Sequence, residues 1–273
     1  MKELVYVYGF VSVESIANED CSIFDLYEEQ PIQFFSGENV AAAFSYVRTE
    51  DFAQENFEEN VQDMKWLEQK AKRHHSILNQ LHETYHVIPL NFGTIYQGTA
   101  KLNDVLHENN ETFQSQLEAM KDKEEWSLKV YAETQQLKAE ATFSTEAIEA
   151  KKQEIEKLSK GRQYIERKRL DRTIEAEAER YINQFCQQVH DVAKKFSEAH
   201  EEKEQWSKQM TGMNTDMKWN AVYLVHKKNR DDMLAELQTM QSELPTTMTV
   251  QLTGPWPGYH FASKVKRGEV YGT

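Results

Sequence analysis

Short runs of apolar residues dominate the first 50 positions and predict β-strands. Residues 4–11 (LVYVYGFV) form the first run, and an acidic loop follows to about residue 30. Two further runs, at 32–36 and 39–47, lie on either side of Gly37. A glycine between two apolar runs is a common hairpin signal. The chain is therefore expected to begin with a small antiparallel sheet.

The apolar spacing then changes to three, four or seven residues between Phe57 and Tyr85. This periodicity predicts an amphipathic helix. His74 and His75 fill a gap in its apolar stripe, and we expect His75 to be the core histidine. The following run at 87–96 (VIPLNFGTIY) is predicted to be extended, with a proline that cannot donate within a central ladder.

A second helix is predicted at about 100–121, and the alternation at 124–131 predicts a strand with one buried side. We place a domain boundary between them, near residue 122. Residues 133–210 have no proline and carry interspersed charges of both signs, which predicts two helices broken near Gly161 that project as a hairpin or coiled coil. Their apolar stripe at 174–199 could pack within the chain or receive a partner helix.

Mixed structure returns towards the C-terminal end. The predicted elements are a central strand at 219–225, a helix at 229–243 and a strand at 250–254. We therefore predict an α+β fold of two domains, an acidic one at 1–121 and a second at 122–273. The second resembles a split βαβ, ferredoxin-like layout with a long helical insertion at about 133–210.

Charge is distributed unevenly along the 273 residues, whose formal net charge is −13. Residues 1–121 hold eight Lys and Arg against 20 Asp and Glu, a net −12, whereas residues 122–273 hold 24 against 25, a net −1. An acidic half repels nucleic acid and anionic lipid, so neither a nucleic acid nor a membrane is expected as a partner. No apolar run reaches the length of a membrane span. Two cysteines, Cys21 and Cys186, do not make a disulfide framework and suit a reducing cytoplasm.

Motifs of catalysis and nucleotide binding are absent from the sequence: there is no phosphate-binding glycine loop, no dinucleotide fingerprint and no nucleophile elbow. Histidines are the best metal candidates, since His82 and His86 lie one helical turn apart. No third ligand is placed convincingly, so neither a metal nor a cofactor is expected. A histidine-lined enzyme site around His75, His82 and His86 remains an alternative.

Two further segments stand out. The stretch 160–172 (KGRQYIERKRLDR) holds six Lys and Arg, and we read it as a solvated helix face that an acidic protein could use, in preference to a nucleic-acid site. In TGPWPGY, Pro255 and Pro257 stiffen the backbone around Trp256. Such a segment suits either a core plug or a recognition anchor, and a plug is the commoner outcome for a large aromatic residue.

Taken in order, several segments resemble the gas vesicle protein F and L family of assembly proteins over nearly the whole chain. They are YVYG at 6–9, HHSIL at 74–78, VIPLNFGTIY at 87–96, EWSLKVY at 125–131, GRQYIERKR at 161–169, NAVYLV at 220–225 and LTGPWPGYHF at 252–261. Two positions depart from the family pattern, which often has a basic residue where Asn91 stands and a second proline where Gly258 stands.

The resemblance implies a non-enzymatic accessory or minor structural protein that takes part in the assembly of gas vesicles. Gas vesicles are hollow protein shells that provide buoyancy. The resemblance also implies two α+β domains, the second a modified ferredoxin-like fold. The implied partners are the small hydrophobic shell subunit and other gas vesicle accessory proteins. Separately, the balanced charges and arginine cluster of the helical excursion at 133–210 could recruit other accessory proteins or a second copy of the chain. The implied location is the cytoplasm, and the protein could also associate with the vesicle shell. The resemblance does not distinguish the F branch from the L branch.

Partner-binding candidates follow from the unusual segments. They are Phe92, Tyr96, Arg167, Lys168, Arg169, Trp256 and Tyr259. The shell subunit is expected to engage the acidic domain at 1–121, with strand addition at an open sheet edge as one mode. The alternative to a gas vesicle role is a helical interaction scaffold or adaptor of another system.

Overall fold

The computed structural model describes residues 4–16, 22–138 and 146–262. Contacts divide the chain into two units. Unit 1 takes in the chain up to Glu125 together with the segment from Pro255 onward, and unit 2 is Trp126–Gly254. The sequence predicts that the segment from Pro255 onward belongs to the second domain, at 122–273, whereas its contacts group it with unit 1. Long-range contacts of that segment with residues of unit 1, such as the hydrogen bond from the His260 N–H to Glu125, explain the difference.

Unit 1 is built on a five-stranded sheet. Its elements are β1 (Leu4–Ser12), α1 (Val13–Ile16), β2 (Gln33–Ser36), β3 (Val40–Val47), α2 (Thr49–Phe52), α3 (Gln54–Asn60), α4 (Met64–Thr84), β4 (Val87–Pro89), β5 (Ile95–Gln97) and α5 (Thr99–Met120). The strand order is β2-β3-β1-β4, and β5 also pairs with β1. The predicted strand at 4–11, the hairpin at 32–47 and the helix at 100–121 are confirmed.

Strand β1 explains why this sheet needs two helical layers. Its residues Leu4 to Val11 are all buried, because alternate side chains enter separate apolar clusters on the two faces. Tyr6 and Tyr8 join the cluster that α4 covers, whereas Val5 and Val7 join the cluster that α5 covers.

The long helix predicted between Phe57 and Tyr85 is interrupted. Helix α3 ends at Asn60 and α4 begins at Met64. The Asp63 side chain caps α4 by accepting a hydrogen bond from the Lys65 N–H at 2.9 Å. Apolar spacing alone does not reveal this break, because the stripe continues in phase across it.

Unit 2 carries a four-stranded sheet of order β7-β8-β6-β9. Its elements are β6 (Lys123–Ala132), α6 (Thr134–Leu137), α7 (Glu146–Glu156), α8 (Lys160–Phe196), β7 (Ser197–Glu202), α9 (Lys208–Thr211), β8 (Asp216–His226), a short 3-10 helix (Lys227–Asn229), α10 (Arg230–Ser242) and β9 (Met248–Trp256), the outer ends of β6 and β9 lying past the unit limits. The predicted strands at 124–131, 219–225 and 250–254 are confirmed, and β8 is central as expected.

The helical prediction over 133–210 is wrong at its C-terminal end, and residues 139–145 of it lie outside the described residues. Helix α8 ends at Phe196, and Ser197–Glu202 pairs with β8 as an antiparallel strand. The sequence of β7, SEAHEE, has no bulky apolar alternation because most of this edge strand is exposed. Charged, exposed edges are typical of strands that resist pairing with other chains.

The apolar stripe predicted at 174–199 is buried within unit 2. Helix α8 packs against β8 and α10, and seven of its residues are buried there. They are Ala178, Ile182, Phe185, Cys186, Val189, His190 and Ala193. The stripe is thus a core face, which leaves no apolar seam on this part of α8 for an external helix.

Candidate partner-binding sites

A buried hydrogen-bond network joins β1, α4 and the turn before β5. His74 accepts at Nδ1 from the Tyr6 hydroxyl at 2.9 Å and donates from Nε2 to the Leu90 carbonyl at 3.2 Å. The Tyr6 oxygen in turn accepts from the Gly93 N–H at 3.0 Å. Burial lowers the pKa of His74 to about 4 and raises that of Tyr6 well above its usual value. Both groups are therefore neutral near pH 7.

The histidine expectation is corrected by this network. His74, and not His75, is the core histidine, and both of its ring nitrogens are engaged by protein groups. His75 is half-buried, and burial lowers its pKa too. Within the described ranges no three His, Cys, Asp or Glu side chains gather as a metal site would require.

Phe92 lies at the turn between β4 and β5 and is half-buried. Its ring contacts an aromatic group on one side of the sheet, with centroid distances between 5.8 and 6.3 Å. The members of that group are Tyr6, Phe57, Trp66 and His74. The predicted extended run at 87–96 is thus two short strands joined by a turn, whose shape the network of Tyr6 and His74 holds.

Tyr96 is a core residue. It lies on β5, opposite Val5 of β1, and is buried in the apolar cluster that α5 covers. Its ring is not on the surface of unit 1, so it supports the turn and does not offer an anchor to a partner.

The C-terminal segment packs against α4 through its aromatic rings. The ring centroids of Trp256 and Tyr259 lie 5.0 and 6.2 Å from that of His75. The Tyr259 hydroxyl is 3.4 Å from His75 Nδ1, and burial raises the pKa of Tyr259. Both aromatic residues keep part of their surface exposed, so the segment is partly a plug and partly an accessible aromatic surface.

Glu125 holds the same segment by its backbone. Its carboxylate Oε2 accepts from the His260 N–H at 2.9 Å, and Oε1 pairs with His260 Nδ1. The Glu125 side chain is only 3 % exposed, whereas that of His260 is 39 % exposed. A buried carboxylate needs such donors, because leaving it unpaired is costly.

Gly258 lies where this segment crosses the end of α5. A Cβ at this position would be 1.7 Å from the Met120 Cε atom, the far end of a flexible side chain. The glycine therefore allows a close approach that a proline could make only if the Met120 side chain moved.

Arg167, Lys168 and Arg169 are exposed on α8, on the part of the helix that precedes the buried stripe. Arg169 pairs with Glu166 at 3.0 Å, one turn earlier. Near them lies a groove of about 380 Å³ between α7 and α8. The cluster is thus a surface feature, as the sequence indicates.

Strand β2 forms one edge of the sheet in unit 1. Among the residues that the structure describes, Gln33–Ser36 pairs with β3 alone. Phe34 and Phe35 are half-buried on opposite faces, each against one of the two apolar clusters. An edge strand presents unpaired backbone groups, and β2 has neither a proline nor a lysine to block their use.

Comparison with known proteins gives consistent results. Residues 4–263 match the family described as "Gas vesicle synthesis protein GvpL/GvpF". The chain is 25 % identical over 237 residues to "Gas vesicle protein L" of Streptomyces sp. (strain CB03234), covering 85 % of this chain and 84 % of the relative.

Two crystal structures share its fold at 15 % identity, those of the gas vesicle protein GvpF from Anabaena sp. PCC7120 and from Microcystis aeruginosa. Their TM-scores are 0.68 and 0.65, and each match covers 96 % of this chain and 98 % or 99 % of the other. The mixed architecture with two antiparallel sheets is therefore shared with GvpF. The resemblance seen in the sequence is confirmed, and the chain belongs to the GvpL/GvpF family of gas vesicle synthesis proteins.

Proposed function

We propose that this protein is a non-enzymatic accessory protein of gas vesicle assembly that binds the hydrophobic shell subunit through unit 1. The match to the family over residues 4–263 supports the gas vesicle role. The proposed place of action is the cytoplasm, on shell subunits that have not yet joined the wall. None of the helices in the described ranges is both long and apolar enough to cross a membrane.

The open edge of β2 is the observation that carries this proposal. A subunit that forms a wall by strand pairing exposes unpaired strands beforehand, and these aggregate readily. Strand addition to β2 would satisfy the backbone groups of such a strand, because edge hydrogen bonds supply affinity and neighbouring side chains supply specificity. Phe34 and Phe35 provide apolar surface on both sides of the added strand.

The acidic charge of unit 1 serves the same purpose. The net charge of −12 over residues 1–121 keeps a complex with an apolar subunit in solution, because like charges on separate complexes repel. Other accessory proteins are proposed to bind at the partly exposed aromatic surface of Phe92, Trp256 and Tyr259.

Unit 2 is proposed to be a modified ferredoxin-like domain. Its strands and principal helices follow the order βαββαβ, with α6, α7 and α8 in the first crossover and α10 in the second. The long helices of the first crossover then correspond to the predicted helical insertion.

Lysines on the exposed positions of β2 test the strand-addition proposal. The variant Gln33→Lys/Ser36→Lys places charges on the edge without touching the core, and charged edges block added strands. We expect affinity for purified shell subunit, measured by titration of a fluorescent subunit, to fall at least about tenfold, which corresponds to about 1.4 kcal/mol.

Asn103→Lys/Ser115→Lys is the matched control, because it adds the same charge to exposed positions of α5 in the same unit. The control should bind as the wild type does. Equal affinity for all three proteins would contradict the assignment to β2, and no measurable binding by the wild type would contradict the function.

A further inference from the structure

The tip formed by residues 157–172, at the turn between α7 and α8, is strongly basic. It holds seven Lys and Arg against two Asp and Glu, a net +5 in a chain of net −13. Both of its acids are already engaged, Glu166 with Arg169 at 3.0 Å and Asp171 with Lys138 at 2.8 Å. Within the described residues, six of its cations have no ion pair: Lys157, Lys160, Arg162, Arg167, Lys168 and Arg172.

Two large apolar side chains stand among these cations. Tyr164 is 70 % exposed and Ile165 is 54 % exposed. Arg167 and Lys168 follow Tyr164 by three and four positions, so they share its helix surface. Exposed aromatic and aliphatic groups within a ring of charge are typical of a protein interface, where the apolar groups provide affinity and the charges provide orientation.

Helix stability does not account for these charges. Lys160 and Arg162 lie in the first turn of α8, which has no acidic residue. The N-terminus of a helix carries a partial positive charge, so each cation there costs about 0.3–1 kcal/mol where an acid would stabilise. An anionic partner would reverse this cost.

Unit 1 carries an acidic segment at residues 50–63, whose charge is opposite to that of the tip. It holds six Asp and Glu and no Lys or Arg, a net −6. Among the described residues none of these acids forms an ion pair. Met64, which follows directly, is 71 % exposed. The segment thus offers the charge opposite to that of the tip, together with an exposed, adaptable apolar side chain.

We propose that the tip at 157–172 binds the acidic segment at 50–63 of a second copy of this chain. The near-equal and opposite charges, +5 and −6, attract the two surfaces and align them with each other. Tyr164 and Ile165 of one copy then contact Met64 of the other through apolar surface. The contact joins two different surfaces, so it is heterologous and builds rings or open chains of copies unless two copies close on each other. It is independent of shell-subunit binding at β2.

Two single-sided charge reversals test this contact. Variant A is Arg167→Glu/Lys168→Glu and variant B is Glu58→Lys/Glu59→Lys; all four positions are exposed. In sedimentation velocity at low salt, wild type should associate with increasing concentration, whereas A alone and B alone should remain monomeric. An equimolar mixture of A and B should associate again, because the unchanged tip of B then meets the unchanged acidic segment of A. Association of wild type should weaken at least about tenfold at 0.5 M salt, where screening is strong.

Matched controls carry the same charge changes elsewhere. Lys227→Glu/Lys228→Glu lies on the exposed short helix after β8, and Glu108→Lys/Glu111→Lys lies on exposed positions of α5. Both should associate as wild type does. The proposal is overturned if wild type is monomeric at every concentration, if the mixture of A and B stays monomeric, or if the tip binds duplex DNA or anionic vesicles while the protein remains monomeric.

Discussion

The backbone N–H of His260 lies 2.9 Å from the buried carboxylate oxygen Oε2 of Glu125, although 135 positions separate the two residues in sequence. Glu125 is the last residue that groups with unit 1 before the chain enters unit 2, and His260 belongs to the segment that returns to unit 1. One carboxylate thus holds the returning segment where its Trp256 and Tyr259 rings reach His75.

Replacing Glu125 should release that segment. In Glu125→Ala both contacts to His260 are lost, and we expect the free energy of unfolding to fall by about 1–3 kcal/mol. Hydrogen exchange should accelerate mainly at residues 255–262. Glu108→Ala, at an exposed position of α5, is the control and should change neither quantity. Unchanged exchange at 255–262 in Glu125→Ala would show that the rings alone hold the segment.

His74 should make stability depend on pH. Its pKa is about 4 in the folded protein against about 6.5 in the unfolded chain, so only the unfolded chain takes up a proton between these values. The contribution is fully present above about pH 6.5 and is lost as pH falls towards 4, up to roughly 3 kcal/mol. Urea unfolding of His74→Gln across this range should show a correspondingly smaller pH dependence than wild type. His107→Gln on α5 should retain the wild-type slope, and an equal slope in His74→Gln would refute this role.

Gly93 and Gly98 form a matched pair that separates backbone strain from packing. Both have positive φ, 82° and 85°, but a Cβ at Gly93 would be 2.7 Å from Phe57 Cζ, whereas nothing lies within 4 Å of one at Gly98. Each alanine substitution should cost about 1–3 kcal/mol for the backbone. Gly93→Ala should cost more because it also displaces the Phe57 ring. Thermal unfolding of the two variants measures the difference, and equal losses would show that the ring moves freely.

Cys186 should be inert in the native protein. It is buried on the stripe of α8, and burial raises the pKa of its thiol to about 11. Since the thiolate is the reactive form, a Cys21→Ser variant should react with a thiol reagent only when unit 2 unfolds. Reaction under native conditions at the rate of free cysteine would show that this face of α8 opens.

The sequence predicts those elements whose apolar residues form either a clear helical period or a continuous run. Strand β1, helix α5 and the central strand β8 are of this kind, since one or both of their faces enter a core. Strand β7 escapes prediction because an exposed edge strand needs no apolar alternation. The break at Asp63 escapes because a cap is set by one side chain and leaves the stripe in phase.

Contacts between segments that are distant in the chain are harder to predict from the sequence than the elements themselves. The choice between His74 and His75 as core residue depends on a rotation of about 100° on the helix, which neighbouring apolar positions do not resolve. The pairing of Glu125 with His260 joins a carboxylate and an imidazole that look solvated in their own segments. The sequence indicates that Trp256 is restrained but does not indicate that it packs against α4.

The binding of the shell subunit at β2 is tested most directly by crosslinking from the strand itself. A photoreactive amino acid at Gln33, which is exposed on the edge, is compared with the same group at Asn103 on α5 in the full chain. With purified shell subunit present, illumination should crosslink the subunit from position 33 and not from position 103. Crosslinking that is absent from position 33, or equal from both positions, would contradict the account.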